Sequence, residues 1–380
     1  MKIAIFTDTF VPDVNGVAKT LKRFTDYLSS KGYEYRVFAP KSASQSLYSS
    51  DIHRFKSLPF FLYPEIRLAL PNMLHVRDEL LQFKPDIIHV ATPFNVGLCG
   101  LHYAKKLNIP LVGSYHTDFD KYLEYYDLQF LTKVLWRYMG WFHRPMRKIF
   151  VPSMDTLENL KKHGFVNLDI WPRGIDCNAF HPNLNPNAIR NKYQIKEKYI
   201  LLYVGRIAPE KDVLLLPDIH EQLPDNIKDD VHWLIVGEGP SKEELMSRAI
   251  GNMTFTGFLS GPDLAHVYAG SDLFVFPSPT ETFGNVVLEA LASGTPAICA
   301  NAGGVRTIVK DKQTGLLCGE KNITHFASAI AELLLDRRKR TEMSLNGRQY
   351  ALTQTWDSIF EALLTNYEVA IEDRKMGVLA

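Results

Sequence analysis

The stretch Leu273-Phe-Val-Phe-Pro-Ser-Pro-Thr-Glu-Thr-Phe-Gly-Asn-Val-Val-Leu-Glu-Ala-Leu-Ala-Ser-Gly294 sets the fold class. Its first four residues are aromatic or branched and are bounded by turn formers, which reads as a buried parallel strand. Pro277 and Pro279 cannot donate to a ladder and end it. From Gly284 a run of helix formers extends over Val286 to Ala292 and stops at Gly294, in the position of a C-terminal cap. The order is strand, tight loop, helix N-terminus. Unpaired backbone N–H groups and the positive end of the dipole make such a terminus an anion site. Thr282, Phe283, Gly284 and Asn285 supply those amides, and Gly284 lets a ligand approach the backbone. Glu281 lies in the loop, and Glu289 lies one turn after Asn285 on the same face. Carboxylates do not hold phosphate; they accept hydrogen bonds from hydroxyls, such as those of a sugar and a ribose. An ordinary βα unit with two solvated glutamates has the same pattern, and periodicity does not separate the two readings.

Glu281 and Glu289 form a Glu-x7-Glu pair within Thr280-Glu-Thr-Phe-Gly-Asn-Val-Val-Leu-Glu-Ala290. This context resembles the retaining, GT-B-fold glycosyltransferases of family four, which transfer a sugar from a nucleotide diphosphate. The resemblance implies an α/β chain with two Rossmann-like, doubly wound parallel-sheet domains facing each other across a cleft. It implies no cofactor and no metal.

Composition fits. A chain of 380 residues has room for two domains with good cores. Hydrophobic content of 46% and charge of 22% belong to a soluble globular protein. Met1-Lys-Ile-Ala-Ile-Phe6 already reads as a strand, leaving no room for a signal peptide, and no apolar run reaches the ~18 residues of a spanning helix. Cys99, Cys177, Cys299 and Cys318 are scattered, as expected of reduced thiols in a cytoplasmic protein. The first 180 residues carry a net +6 and the remainder −5. The basic half hints at an anionic surface or substrate, while no basic helix or base-stacking module points to nucleic acid.

Along the chain, short apolar runs alternate with amphipathic segments, the pattern of parallel sheets with helices on both faces. Strands are expected at Ile3–Phe6, Tyr35–Ala39, Asp86–Val90, Pro110–Ser114 and Lys148–Val151, then at Tyr199–Val204, His232–Val236, Leu273–Phe276 and Ala297–Cys299. Trp171-Pro-Arg-Gly-Ile-Asp-Cys-Asn-Ala-Phe-His-Pro182 punctuates the middle. This predicts an N-terminal domain over 1–175 and a C-terminal one over 176–355. In the family these bind acceptor and nucleotide-sugar donor, and a last helix, about 356–380, packs back on the first domain.

Further motifs follow in the family's order. Asp8-Thr-Phe-Val-Pro-Asp-Val-Asn-Gly-Val17 joins the first strand to the first helix, and Asn15-Gly16 is a turn dipeptide that tolerates positive φ. The family has two glycines here; Asn15 replaces the first, and the left-handed shape is expected to survive. A plain βα turn is the alternative. His116 ends the fourth strand of the first half, where the resemblance implies contact with the transferred sugar and where an isolated histidine is otherwise structural. Asp118 and Asp120 form a chance Asp-x-Asp. Gly205-Arg-Ile-Ala-Pro-Glu-Lys211 matches Gly-Arg-x-x-x-Glu-Lys, placing Arg206 and Lys211 where a planar fork and a point charge reach a diphosphate. Asp212 stands where the family often has glycine. Gly237-Glu-Gly-Pro240 is an incomplete dinucleotide fingerprint, with Lys242 in place of its third glycine, and fits a turn beside the donor. Ala302-Gly-Gly-Val305 lines the site in the family.

The resemblance therefore makes His116, Arg206, Lys211 and Glu281 catalytic, and Asn15, Gly16, Gly237, Phe283, Gly284, Asn285 and Glu289 donor-binding. Tyr115-His-Thr-Asp-Phe119 with Tyr122, Tyr125 and Tyr126 looks most like the branch acting on membrane glycolipids with GDP-mannose or UDP-glucose type donors. A soluble or polysaccharide acceptor, or a non-catalytic nucleotide-sugar binder, is the alternative. A dehydrogenase lacks its glycine fingerprint and ribose acid, and an epimerase is disfavoured by the Glu-x7-Glu context. Two aromatic and cationic clusters suggest docking on an anionic membrane face: Arg54, Phe55, Lys56, Phe60 to Tyr63 and Arg67, and a second from Phe119 to Lys148 that includes Trp136, Tyr138, Trp141, Phe142, Arg144 and Arg147. Packing of these aromatics in the core is the competing reading.

Overall fold

The computed structural model describes residues 1–13, 15–41, 51–59, 67–116, 129–281 and 283–375. The chain divides into two compact units, Met1–Pro172 with Ile359–Ala380, and Arg173–Ser358.

The first unit is built on β1 (Lys2–Phe6), β2 (Glu34–Pro40), β3 (Ile52–Phe55), β6 (Ile87–Val90), β7 (Leu111–Ser114), β8 (Lys148–Val151) and β9 (Leu168–Ile170). They form one parallel sheet in the order β3-β2-β1-β6-β7-β8-β9. The intervening β4 (Ser57–Pro59) and β5 (Arg67–Ala69) pair separately and antiparallel. The central strands are largely apolar because helices cover both faces of a parallel sheet; β6 is buried at every position, His89 included. The second unit holds β10 (Tyr199–Val204), β11 (Val231–Val236), β12 (Met253–Gly257), β13 (Leu273–Phe276), β14 (Ala297–Ala300) and β15 (Gly315–Cys318), in the order β12-β11-β10-β13-β14-β15. Ligands of doubly wound sheets sit beyond the carboxyl ends of the strands where the order reverses. Those points fall between β1 and β6 in the first unit and between β10 and β13 in the second.

The last helix, Trp356–Lys375, packs in the first unit from Ile359 onward. Ile359, Phe360, Leu363, Leu364, Tyr367 and Ala370 recur at helical spacing and are buried. Each large apolar side chain so buried contributes on the order of 1.5–3 kcal/mol. Phe24 meets Phe360 at 5.1 Å between ring centroids. The Tyr367 hydroxyl bonds His89 Nδ1, and His89 Nε2 meets Ser114 Oγ at 2.9 Å.

The expected strands are present; β3, β4, β5, β9, β12 and β15 were not foreseen. Most are short, edge or half-buried, and lack the unbroken apolar run that marks a central strand. Asn15 is a correction. It is extended, with φ −138°, and caps the helix Gly16–Ser30 by accepting from Ala18 N–H at 2.9 Å. Asn is among the strongest N-caps, and that preference prevails over its tolerance of the left-handed region.

Burial pushes the His89 imidazole down to about 3 and, against a bond from its ring to the Met139 carbonyl, that of His143 down to about 4. The unfolded chain binds protons at both below about 6.5 while the folded chain does not, so stability present at neutral pH is lost as pH falls. Asp8 acts oppositely. Burial raises it from 3.8 to about 6, so between those values the folded state holds the extra proton. His53, His220 and His232 are lowered by burial as well, and Asp212 and Asp272 raised by it, so the lowered rings outnumber the raised acids and the net direction is a loss of stability as pH falls. The urea midpoint should fall steadily from about pH 6 to about 4; a flat profile would contradict the neutral burial of these rings.

Candidate functional site

Between β10 and β13 the backbone is packed tightly. Leu201 and Leu202 of β10 stand in register with Leu273 and Phe274 of β13. After β11, Gly237 has φ +140°, and a Cβ there would lie 1.9 Å from the Gly205 carbonyl oxygen; at Gly239 it would lie 2.2 Å from that of Ile207. Glycine is required at both places because two loops touch backbone to backbone. The helix that follows, Lys242–Ser247, has Ser241 at its N-cap position without a side-chain capping bond.

The loop after β10 closes with a 3-10 turn, Pro209–Lys211. Asp212, in the place of a family glycine, has φ +50° and keeps the left-handed turn. This aims Lys211 at the loop after β13, where its Nζ lies 2.6 Å from Glu281 Oε1. The two side chains are only 16% and 23% exposed, so the pair is sheltered at one face. Arg206 is open to solvent, with Nη1 3.6 Å from Glu210 Oε1. Thr280 Oγ1 donates to the Glu210 carbonyl at 2.9 Å and joins the two loops. Beneath them the Tyr203 hydroxyl donates to the Arg206 carbonyl at 2.9 Å, and burial, with Glu281 and Glu210 nearby, pushes that phenol up.

Gly284 has φ +98° and leads into the helix Asn285–Ala292, which has no side-chain cap. Phe283 is buried and Asn285 exposed. Glu289, half-buried on that helix, accepts from the Tyr268 hydroxyl at 3.0 Å. The Ala302–Val305 loop braces the acid loop from behind: Gly304 N–H donates to the Glu281 carbonyl at 2.6 Å. Thus Arg206, Lys211, Gly237, Glu281, Phe283, Gly284, Asn285 and Glu289 all belong to the loops and helix at the carboxyl ends of this sheet. Thr282 lies outside the described residues. Tyr268 was missed because its partner Glu289 is remote in sequence, and Tyr203 because it reads only as part of a buried strand; Glu210 and Gly304 stand in the quoted Gly205–Lys211 and Ala302–Val305 motifs, where no role was given to them.

In the first unit, His116 follows β7 and its ring lies 5.3 Å from that of Trp171. Asn15 and Gly16 begin the helix after β1. A residue not foreseen stands at the switch point itself. Asp8 accepts from Val96 N–H at 2.8 Å and Thr92 Oγ1 at 2.7 Å, locking β1 to the helix Asn95–Lys106. Asp118, Asp120, Tyr122, Tyr125 and Tyr126 lie outside the described residues.

In the first expected membrane cluster the described side chains are those of Arg54, Phe55 and Lys56. Phe55 is buried, and Arg54 is held inward by the Pro40 and Val11 carbonyls; Phe60 to Tyr63 lie outside the described residues. The second is split. Phe142 is in the core, Trp136 stacks on His163 at 3.6 Å, and Arg147 donates to the Ala370 carbonyl. Phe130, Val134 and Trp141 are 75%, 64% and 55% exposed on and beside the helix Thr132–His143, with Lys133, Arg137 and Arg144 exposed among them. No helix among the described residues is long and apolar enough to cross a membrane.

A substitution separates the brace from the fold. Gly303→Ala would strain a residue at φ +60° and set a Cβ 2.6 Å from the Glu281 carbonyl oxygen. Gly261, at φ +56°, has open space around it. Gly303→Ala should lose more than about 1 kcal/mol in urea unfolding and exceed Gly261→Ala. Equal losses would remove the brace from the account.

Comparison with known proteins agrees with this geometry. Residues 14–179 match the description "Glycosyltransferase Family 4" and residues 186–350 match "Glycosyl transferases group 1". The chain is 32% identical to the GDP-mannose-dependent alpha-mannosyltransferase of Mycolicibacterium smegmatis, covering 99% of each chain. It is 30% identical to the alpha-monoglucosyldiacylglycerol synthase of Streptococcus pneumoniae, over 93% of this chain and 82% of that one. Among solved structures, Anabaena HepE in complex with UDP superposes with a TM-score of 0.76 at 18% identity, covering 97% of this chain and all of that one. The Thermosynechococcus elongatus sucrose-phosphate synthase gives 0.74 at 20% identity, over 97% and 98%. These likenesses and the paired doubly wound sheets establish the chain as a GT-B-fold glycosyltransferase of family four.

Proposed function

We propose that the chain transfers a mannosyl or glucosyl group from a GDP- or UDP-activated donor to a lipid acceptor, with retention of the α configuration and without a metal ion. The observation that carries this reading is the Lys211–Glu281 pair at the switch point of the second sheet. In it Lys211 and Arg206 take the donor diphosphate and offset the charge that builds on the leaving group. The uncapped amides at Phe283 to Asn285 face the same anion. Glu281, released from Lys211, accepts from sugar hydroxyls, and Glu289 accepts from the ribose. Gly237 lets its loop approach the donor. In the first unit, Asn15 and Gly16 shape the loop after β1, and His116 contacts the sugar near its reactive carbon. The bond from the anomeric carbon to the diphosphate oxygen breaks as the bond to the acceptor oxygen forms on the same face, and the acceptor proton passes to the diphosphate. Support for these donors comes from relatives named as GDP-mannose-dependent mannosyltransferases and glucosyldiacylglycerol synthases.

Lys211→Ala should cost on the order of 100-fold or more in turnover while acceptor affinity changes little. Wild-type enzyme supplied with GDP-mannose or UDP-glucose should give a product whose anomeric proton NMR signal is that of an α linkage. Near-normal turnover of the variant, or an inverted product, would overturn the reading.

The acceptor surface is assigned to the helix Thr132–His143, at an anionic membrane on the inner face of the cell. Its exposed Val134 and Trp141, with Phe130 just before it, suit the headgroup boundary, and each exposed cation there contributes about 1 kcal/mol. Binding to phosphatidylglycerol vesicles should fade with salt and fall on the order of 30-fold or more in Arg137→Glu/Arg144→Glu. No sedimentation with anionic vesicles at low salt would favour a soluble acceptor.

A further inference from the structure

His53, His75 and Glu79 of the first unit converge at the edge of the seven-stranded sheet. His53 lies on β3, the edge strand, opposite Phe38 of β2. The two rings stack at 5.0 Å with an 18° interplanar angle, which fixes the imidazole plane. His75 and Glu79 stand four residues apart on the helix Met73–Phe83 and so share one face of it. The three side chains meet around His53. His75 Nε2 lies 3.3 Å from His53 Nδ1, and Glu79 Oε2 lies 3.4 Å from His53 Nε2. One ligand atom from each residue can be chosen so that all three lie within 4.8 Å of one another.

The spacing is informative. With metal–nitrogen bonds of about 2.0–2.1 Å, ligand atoms of a tetrahedral site stand about 3.3–3.4 Å apart. The two short contacts use different nitrogens of His53, of which one ion takes only one; the chosen ligand atoms lie within 4.8 Å of one another, and rotation of the His75 and Glu79 side chains closes them to that separation. His53 Nε2 is buried and makes no hydrogen bond among the described residues, although Glu79 is adjacent. A hydrogen-bond relay would have used that nitrogen; a lone pair held ready for a cation accounts for its position. Two imidazoles and one carboxylate suit a borderline divalent ion such as zinc, better than the all-oxygen shells of magnesium or calcium or the thiolates of copper(I).

We propose that His53, His75 and Glu79 form a structural zinc-class site, its fourth position filled by water, which clips the helix Met73–Phe83 to edge strand β3. The ligands come from two elements separated by some twenty residues of chain, so binding stabilises their docking as well as the ion. Edge strands need such cover, because their unpaired backbone groups otherwise invite pairing with another chain. The site is distinct from the donor site: all three ligands belong to the first unit, whereas Arg206, Lys211 and Glu281 belong to the second.

The test uses the full chain without an affinity tag, stripped with a chelator. Titration with Co2+ should produce the visible absorption of tetrahedral cobalt, saturating at one equivalent, and Zn2+ should displace it. Zn2+ should also raise Tm by mass action. His75→Ala and Glu79→Gln should each weaken binding by about 10–100-fold or more, while His102→Ala, at an exposed position of the same unit, should not. Glu79→Gln keeps the helix and its shape, so loss of binding in a folded variant is interpretable from its unchanged far-UV CD. Binding weaker than millimolar, or binding that His75→Ala and Glu79→Gln leave unchanged, would mean adventitious histidine binding only and would overturn the site. So would a Tm indifferent to Zn2+.

Discussion

The reversal of strand order between β10 and β13 is the constraint on which the donor half depends. The chain leaves these parallel neighbours toward opposite faces, so their loops diverge above the sheet and leave a crevice at its carboxyl edge. Everything near the crevice is shaped by backbone proximity. Gly237 and Gly239 exist because a Cβ would strike the Gly205 and Ile207 carbonyls, and Gly303 because one would strike the Glu281 carbonyl. Only with the loops so close can a lysine after one strand meet a glutamate after its neighbour.

The same topology is used differently in the first unit. There the helix after β6 starts beside β1, as the helix after β13 starts beside β10. Asp8 occupies that first helix N-terminus with the chain's own carboxylate, accepting from the Val96 and Gly97 amides. Gly97 itself permits the approach, since a Cβ would lie 1.8 Å from the Thr92 carbonyl oxygen. At the second N-terminus no side chain caps Asn285, and the amides remain for a ligand anion. One switch point is sealed by an internal anion and the other is left open for an external one. This difference, more than the shared fold, is what the proposed placement of the donor diphosphate at the second switch point rests on.

Legibility in the sequence followed locality. The central strands were readable because two-sided burial forces continuous apolar runs; β9 and β12, half-buried, carry no such run. The Glu281 loop and the Arg206–Lys211 loop were legible as motifs, and Asp212 keeps its turn without glycine. Asn15 misled because one residue type serves two local geometries, and only the Thr9–Asp13–Asn15 hydrogen bonds decide for the cap. Partners distant in sequence were out of reach. Nothing local links Tyr268 to Glu289 or His53 to Glu79.

Charge explains why the resting site holds its cations as it does. Lys211 and Arg206 each stand beside a resident carboxylate, Glu281 at 2.6 Å and Glu210 at 3.6 Å. In the proposed reaction a donor diphosphate competes for both cations. The Arg206 pair is largely exposed, and exposed pairs are worth about 0–1 kcal/mol, so exchanging its partner costs little. The Lys211 pair is more sheltered, and giving up Glu281 there would leave an acid without its cation. That acid then needs new donors, and in the proposed reaction sugar hydroxyls provide them. A diphosphate without its sugar takes Lys211 but leaves Glu281 unsatisfied. On the proposed roles, the pair would favour the intact donor over the spent nucleotide, which is the order that turnover requires.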